Sequence, residues 1–356
     1  MDQKKVPEMK IIQVCPRYFP DIGGVETHVR EIAERLVKMG HKVEVVCTDP
    51  SGVHPKNDFI NGVSITRFRS FAPHDAYFFS PKMASYLKTL DAEILHAHGY
   101  HAFPALFAMT AARNKRFIFT PHYHGKGHTS LRNMLLTFYN PFGRAIFHRA
   151  NWIICVSEYE KNLIKGKFDI PEERFTVIPN GLNLSEFKGI IGAKYPHRIL
   201  HVGRIEQYKG IQHVIGALPE LPGYTFTIVG KGPYEHSLQQ LAADIGVSDR
   251  VTWKKDLSRQ DLLQEYASAG LMISLSSFEA YGITVAEALA SGLQVIVNKN
   301  GALEEFVDGT TCIGIEPSAK NVIGAIRLLK PSQSYQKRII DWNEVVERTV
   351  KTYIKD

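Results

Sequence analysis

The stretch "LHVGRIEQYKGIQHVIGAL", residues 200–218, joins an apolar run to a helical pattern through a short basic loop. The run that ends at Gly203 reads as a strand, a helix opens near Gly210, and the loop between them carries Arg204 and Lys209. A strand that ends in a glycine-bearing loop and feeds a helix is half of a βαβ unit. It predicts a parallel sheet when further units flank it. Downstream lie "YTFTIVG", "RVTWK", "LMISLS", "QVIVN" and "CIGI". Upstream lie "KIIQVC", "KVEVVCT", "ITRFRSF", "EILHAH", "RFIFT", "NWIICVS" and "FTVIP". Helical patterns separate most of these short apolar runs. The polar stretch 183–197, "NLSEFKGIIGAKYPH", divides the two series and reads as a linker. The order of elements repeats although the sequence does not. Two doubly wound α/β sheets facing a central cleft are therefore expected.

Size and composition agree. A chain of 356 residues is long enough for two domains. No apolar run approaches the roughly 20 residues of a membrane span, and the basic start "MDQKKVPEMKIIQVC" leads into a strand without the features of a signal peptide. Cys15, Cys47, Cys155 and Cys312 are scattered, with no metal or redox spacing, so reduced thiols in a cytoplasmic protein are expected. The net charge of +7 comes without a nucleic-acid recognition motif, and no nucleic-acid partner is expected.

Ligands of doubly wound sheets bind outside the carboxyl ends of the strands. The first such end is "CPRYFPDIGGVETHVREIAERLVKMG", where Gly23 and Gly24 precede a helix with an apolar stripe of Val25, Val29, Ile32 and Leu36. Glu26–Arg30, Glu31–Arg35 and Glu34–Lys38 are expected i,i+4 pairs. A glycine pair ahead of a helix can offer backbone N–H groups to an anion, or can be an ordinary tight turn. It is not G-x-G-x-x-G, which argues against a dinucleotide oxidoreductase.

The next ends hold His96, His98 and His101, then His122, His124 and His128. Imidazoles are common metal ligands. No carboxylate accompanies these, however: Ile94 to Ser157 contains no Asp or Glu, against seven Lys or Arg and seven His. Hydrogen bonding to a polar, anionic ligand is the preferred reading, with no metal expected. In the second series, Arg204, Lys209 and the glycines of "IVGKGPYEHSLQQLA" (Gly230, Gly232) stand at successive strand ends and together read as a diphosphate site. Further on, "SSFEAYGITVAEALASG" (276–292) predicts a helix from Ile283 to Ala290 that is apolar or small except for Thr284 and Glu287. A buried carboxylate is costly unless paired, so Glu287 has a structural partner or awaits a ligand.

The order and spacing of these motifs resemble the retaining glycosyltransferases of family 4, which have the GT-B fold. The resemblance runs along nearly the whole chain: the early glycine pair, "CVSEYEKNLI", "VIPNGLNLSEF", "VGRIEQYKG", "VGKGPYEHSL", the E-x(7)-E element "EAYGITVAE" and the closing "DWNEVVERTVKTY". It implies a Rossmann-like acceptor domain over 1–184, a nucleotide-sugar domain over 185–335, and a last helix within 336–356 that returns to the first domain. It also implies a metal-independent hexosyltransferase without a cofactor, with a nucleotide-sugar as co-substrate: UDP-hexose first, GDP-mannose as the alternative.

By the same resemblance Arg204 and Lys209 neutralise the leaving diphosphate, Glu287 holds the ribose hydroxyls, and Glu279 approaches the hexose. Gly23, Gly24, Gly203, Gly230, Gly232, Ala280, Tyr281, Gly282 and Ile283 line the donor. His122 matches the histidine beside the transferred sugar, with His124 its rival; His98, Tyr123 and His124 fall on the acceptor side. Leu275 and Gln294 replace usual prolines, Lys255 stands near a usual glycine, and Gly301 stands where two glycines often occur. The alternatives are a catalytically weak sugar-binding protein, or a nucleotide-sugar epimerase or hydrolase, of the same fold. The acceptor is a glycan, a lipid-linked sugar or a small molecule. The acid-free, basic and aromatic segment 113–149 reads either as partly buried helices with solvated cations or as a surface for an anionic membrane. The second reading places the protein on the inner face of a membrane as a peripheral protein.

Overall fold

The computed structural model describes residues 7–73, 76–100, 102–125, 130–188, 195–329, 337 and 339–355, without the side chains of 130–136. The chain divides into two compact units: unit 1 runs to Asn180 and resumes at Trp342, and unit 2 is Gly181–Asp341.

Unit 1 is built on an eight-stranded sheet. Its strands are β1 (Lys10–Cys15), β2 (Lys42–Thr48), β3 (Asn57–Ile60), β4 (Val63–Phe68), β5 (Ile94–His98), β6 (Arg116–Thr120), β7 (Trp152–Cys155) and β8 (Phe175–Val177). Their order is β3-β4-β2-β1-β5-β6-β7-β8. All pairs are parallel except β3–β4. That hairpin is the strand missing from the sequence reading. Asn61 (φ 51°) and Gly62 (φ 84°) are both left-handed, as a tight two-residue hairpin requires. β3 alternates between exposed and half-buried positions, so it lacks the apolar run that marked the other strands.

The helices are α1 (Gly24–Lys38), α2 (Pro81–Thr89), α3 (Phe103–Ala111), α4 (Ser130–Arg149) and α5 (Glu158–Phe168). The strands β1, β5, β6 and β7 are buried along nearly their whole length, as expected when helices cover both faces of a parallel sheet. The apolar core on one face joins Val14, Leu95, Phe117, Phe119, Tyr100 and Phe147.

Unit 2 has six parallel strands: β9 (Tyr195–Val202), β10 (Thr225–Val229), β11 (Val251–Lys254), β12 (Ala269–Ser274), β13 (Gln294–Asn298) and β14 (Cys312–Ile315), in the order β11-β10-β9-β12-β13-β14. Its helices are α6 (Ile211–Ile215), α7 (Glu235–Asp244), α8 (Arg259–Ser268), α9 (Ile283–Ala290) and α10 (Ala319–Leu328). Separate apolar clusters cover the two faces, one around Ile199, Phe226 and Ile273 and the other around Leu200, Met272 and Val295. Leu275, in place of the usual proline, is buried in the first of these.

The helix α11 (Trp342–Ile354) belongs to unit 1. Its Arg348 donates to the Val177 carbonyl, and Asn343 accepts from Arg35 of α1. The expected linker 183–197 is not one uniform segment. Leu184–Phe187 forms a 3-10 turn of unit 2, Tyr195–His197 already belongs to β9, and 189–194 lies outside the described residues. All four cysteines are free and buried.

Candidate functional site

The strand order places a switch point in each unit, where neighbouring strands lead their chains to opposite sides. In unit 2 it lies between β9 and β12. The loop after β9 holds Arg204 and Lys209; the loop after β12 holds Glu279, Ala280, Tyr281 and Gly282. The two loops are tied together by a Ser277 N–H to Tyr208 carbonyl bond of 2.9 Å. Lys209 Nζ lies 2.5 Å from Glu279 Oε1, with both side chains largely buried. Burial opposes the charge on Lys209, but the Glu279 carboxylate outweighs it and holds the ammonium above its ordinary pKa. Arg204 is exposed and bonds the Tyr208 hydroxyl at 3.4 Å. The expected pair of cations is thus brought together, one fixed by a carboxylate and one reaching into solvent.

α9 begins directly after this loop. Gly282 is its N-cap at φ 108°, a left-handed conformation that side chains rarely adopt, and an added Cβ would stand 2.4 Å from Leu303 Cδ2. The first N–H groups of α9, at Ile283 and Thr284, have no acceptor within the helix and form a positive end beside Glu279. Gly230 and Gly232 have a second reason to be glycine. A Cβ on Gly230 would stand 1.9 Å from the Gly203 carbonyl oxygen, and one on Gly232 would stand 2.2 Å from that of Ile205. They let the loops after β9 and β10 pack backbone against backbone.

The question posed by Glu287 has a structural answer. It is 6% exposed, and both its oxygens are engaged: Oε1 by Arg259 Nη1 at 2.5 Å and Oε2 by the Tyr266 hydroxyl at 2.8 Å. Arg259 also reaches Glu186 at 2.8 Å. The partners of Glu287 lie on α8, far away in sequence. His201, absent from the sequence reading, lies beneath the same loops. It is buried, its Nδ1 bonds the Ile273 carbonyl at 3.2 Å, and its Nε2 has no partner. Burial, with the nearby Lys209 charge, lowers its pKa to about 4. Its position on β9, just before Gly203, was the signal that could have found it.

In unit 1 the switch point lies between β1 and β5. α1 begins at Gly24, with Gly23 as N-cap in extended conformation. The expected Glu26–Arg30 pair does not form. Glu26 is buried against Gly23 and pairs with Arg17 at 3.1 Å, while Arg30 pairs with Glu34 at 2.9 Å. A carboxylate therefore already sits at this helix N-terminus, which weakens the reading of Gly23 and Gly24 as a free anion cradle. Around Gly24 there is open space.

The histidines converge on neutral partners. His98, at the end of β5, is fully buried; its Nε2 bonds Gln13 Oε1 at 2.6 Å. The Gln13 amide donates to the Tyr353 hydroxyl at 2.9 Å, which contacts His96 Nδ1 at 2.8 Å, while His96 Nε2 bonds Thr120 at 2.8 Å. His122 has φ 49°, and its ring stacks on that of His98 at 6.0 Å and meets that of His28 edge-on at 4.8 Å. His28, on α1, is buried and donates from Nδ1 to Asn180 Oδ1 at 2.7 Å. Burial lowers its pKa to about 4. It went unnoticed in the sequence although its spacing to Val25 and Ile32 puts it beside the apolar stripe.

The loop that carries His122 is held by Glu160, which accepts the N–H groups of Tyr123 and Val156. Tyr123 itself is 1% exposed and packs on Tyr100 and Phe168, so its ring is part of the core rather than an acceptor-side surface. His124 is half-buried and stands outside the His28–His98–His122 group. His101 and His128 lie outside the described residues.

Comparisons with known proteins converge with this geometry. The profile described as "Glycosyltransferase Family 4" matches residues 22–186, and "Glycosyl transferases group 1" matches 186–343. An uncharacterized glycosyltransferase of Methanocaldococcus jannaschii is 28% identical over 84% of this chain and 83% of its own length. The gpi3 component of the phosphatidylinositol N-acetylglucosaminyltransferase of Schizosaccharomyces pombe is 25% identical over 94% and 78%. The solved Anabaena protein HepE, in complex with UDP and glucose, superposes with a TM-score of 0.77 over 98% of this chain and 100% of that one, at 17% identity. With two parallel-sheet units of this kind and family profiles spanning both, the chain belongs to the family 4, group 1 glycosyltransferases and is a transferase of the GT-B fold.

Proposed function

We infer that the protein is a retaining hexosyltransferase that takes its sugar from a nucleoside diphosphate donor, UDP-hexose before GDP-mannose, and passes it to a lipid-borne acceptor. The observation that carries this is the Lys209–Glu279 pair beside Arg204 and the positive end of α9, at the switch point of unit 2. Two cations and a helix terminus answer a diphosphate, on which negative charge grows as the anomeric C–O bond breaks. Fixed charges aimed at such a leaving group are usually a major part of catalysis. The acceptor hydroxyl oxygen bonds to the anomeric carbon on the face that the diphosphate leaves, and its proton passes to the departing phosphate oxygen. Glu279 holds both Lys209 and the hexose; Glu287, anchored by Arg259 and Tyr266, offers its remaining lone pairs to ribose hydroxyls; His122 serves the transferred sugar.

The donor preference draws on the UDP and glucose held by the Anabaena protein, and the lipid acceptor on the phosphatidylinositol named for the fission-yeast relative. The surface of α4 favours a membrane as well. Phe138 is 71% exposed and Phe142 51%, with Arg144 exposed beside them. Arg149 and Lys115, by contrast, are tied to the backbone carbonyls of residues 111–113 and do not belong to that face. No helix among the described residues is long and apolar enough to cross a membrane; the attachment proposed is peripheral, at the inner face, through the exposed aromatic and basic side chains of α4. The test is turnover of UDP-glucose, UDP-galactose, UDP-N-acetylglucosamine and GDP-mannose, with and without phosphatidylinositol or diacylglycerol, and the anomeric configuration of the product by NMR. A product of inverted configuration, or consumption of none of the four, would overturn the reading.

A further inference from the structure

The transfer chemistry leaves one group of unit 1 unexplained. One ring nitrogen from each of His28, His98 and His122 lies within 4.8 Å of the others. On each ring a shielded nitrogen has no hydrogen-bond partner: Nε2 of His28, Nδ1 of His98 and Nε2 of His122. An unpaired buried polar atom is costly, and three on rings clustered this closely call for a common partner. The chemistry of that partner follows from the tautomers. His28 spends its N–H on the Asn180 carbonyl, and His98 spends its own on the Gln13 carbonyl. The nitrogens left over on these two rings are therefore lone pairs, which cannot satisfy one another.

We propose that His28, His98 and His122 form a three-imidazole site for a divalent transition-metal ion of the zinc class. An imidazole-only set without a carboxylate suits Zn²⁺, Cu²⁺ or Ni²⁺ and disfavours Mg²⁺ and Ca²⁺. Amide oxygens that accept the second N–H of a ligating histidine fix its tautomer and orientation, and both buried rings have one. Nitrogens bound tetrahedrally to zinc stand about 3.4 Å apart, given Zn–N bonds of about 2.0–2.1 Å. The group must contract slightly, and the half-buried His122, on a loop, is the ring able to close. His122 is also the ring assigned above to the transferred sugar, so ion and sugar would compete for it. The site itself stands on unit 1 alone, and its test needs no substrate.

The test uses the full chain without a tag, stripped with EDTA, desalted and titrated with Co²⁺. The expected result is a saturable absorption of tetrahedral Co²⁺ at one ion per chain, displaced by Zn²⁺ and not by Mg²⁺. Folded His28→Ala and His98→Ala should each weaken binding at least a hundredfold, while His236→Ala, at an exposed histidine, leaves it unchanged. Removing the outer partner with Asn180→Ala should cost about 10- to 100-fold, while Asn180→Asp retains binding. That pair keeps the site testable should the histidine variants fail to fold. No saturable binding by the wild type would overturn the proposal, as would unchanged binding in either folded histidine variant or in Asn180→Ala.

Discussion

At the switch point of unit 1 the converging side chains are mostly neutral histidines with neutral partners; at that of unit 2 they are charged. Between β1 and β5 the chain buries His28, His96 and His98, held by Gln13, Asn180, Thr120 and Tyr353. Its nearby carboxylates are already engaged: Glu26 pairs with Arg17 at a helix terminus, and Glu160 accepts two backbone amides. Between β9 and β12 the chain instead sets Lys209 against Glu279 and Arg259 against Glu287. The same sheet geometry thus positions two chemistries. Neutral lone pairs and hydroxyls can meet sugar hydroxyls or a metal ion without the desolvation cost of buried charge, whereas a diphosphate needs cations.

The largest effect that would break this contrast lies in unit 2. Lys209→Ala and Arg204→Ala should each lower turnover on the order of a hundredfold to a thousandfold, about 3 to 4 kcal/mol of transition-state stabilisation. Arg204→Ala should melt like the wild type because its side chain is exposed. Near-normal turnover of both would remove the charged half of the comparison.

The next effect concerns His201, a neutral imidazole buried near the charges of unit 2. His201 has a folded pKa of about 4, below its ordinary 6.5, because of burial and the Lys209 charge. The unfolded chain therefore binds the proton first, so this contribution to stability is complete above pH 6.5 and is lost as pH falls toward 4. Over that window the wild type should lose about 3 kcal/mol more stability than His201→Leu. Parallel urea-unfolding curves for the two proteins from pH 7 to 4 would show that His201 is not held neutral.

Glu287→Gln separates anchoring from ligand binding. Removing the charge should weaken nucleoside diphosphate–sugar binding by about 1.5–3 kcal/mol, measured by calorimetry. Normal donor binding with a much lower melting temperature would make Glu287 a structural acid for Arg259 and Tyr266. The surface of unit 1 offers a smaller effect. Arg144→Glu should reduce binding to phosphatidylglycerol vesicles by about 2 kcal/mol at low salt, since each nearby cation contributes about 1 kcal/mol and the sign is reversed. Sedimentation equal to that of the wild type, or wild-type binding that ignores salt, would count against a membrane face on α4. The smallest expected effect is the absence of a loss: EDTA should not lower transfer rates, because Arg204, Lys209 and α9 supply the positive charge. Loss of activity restored by manganese or magnesium would contradict that.

The strands and the basic loop of unit 2 were legible because each is a local pattern: an apolar run, a glycine, a cation at a fixed offset. Gly203, Arg204 and Lys209 could be placed at a strand end from spacing alone, whereas Glu279 was assigned through the family resemblance. β3 was not, because an edge strand half in solvent carries no continuous apolar run, and its only signal was the Asn61-Gly62 turn. The Glu26–Arg30 pair was misread because i,i+4 spacing offers a partner without excluding a nearer one. Burial of Glu26 against Gly23 turned it toward Arg17 instead.

By itself the sequence determined what depends on neighbours along the chain: two α/β units, the order of their strands in the chain, and which residue types stand at the strand ends. It also determined that a carboxylate at position 287 would be buried and need a partner. Only the tertiary structure decided who the partners are. Glu287 meets Arg259 and Tyr266, His28 meets Asn180, and His98 meets His28 and His122. These contacts bridge separations of up to 152 residues. Side-chain hydrogen bonds and ring contacts act over a few ångströms, and which distant residues come within that range is fixed by how the sheets order their strands.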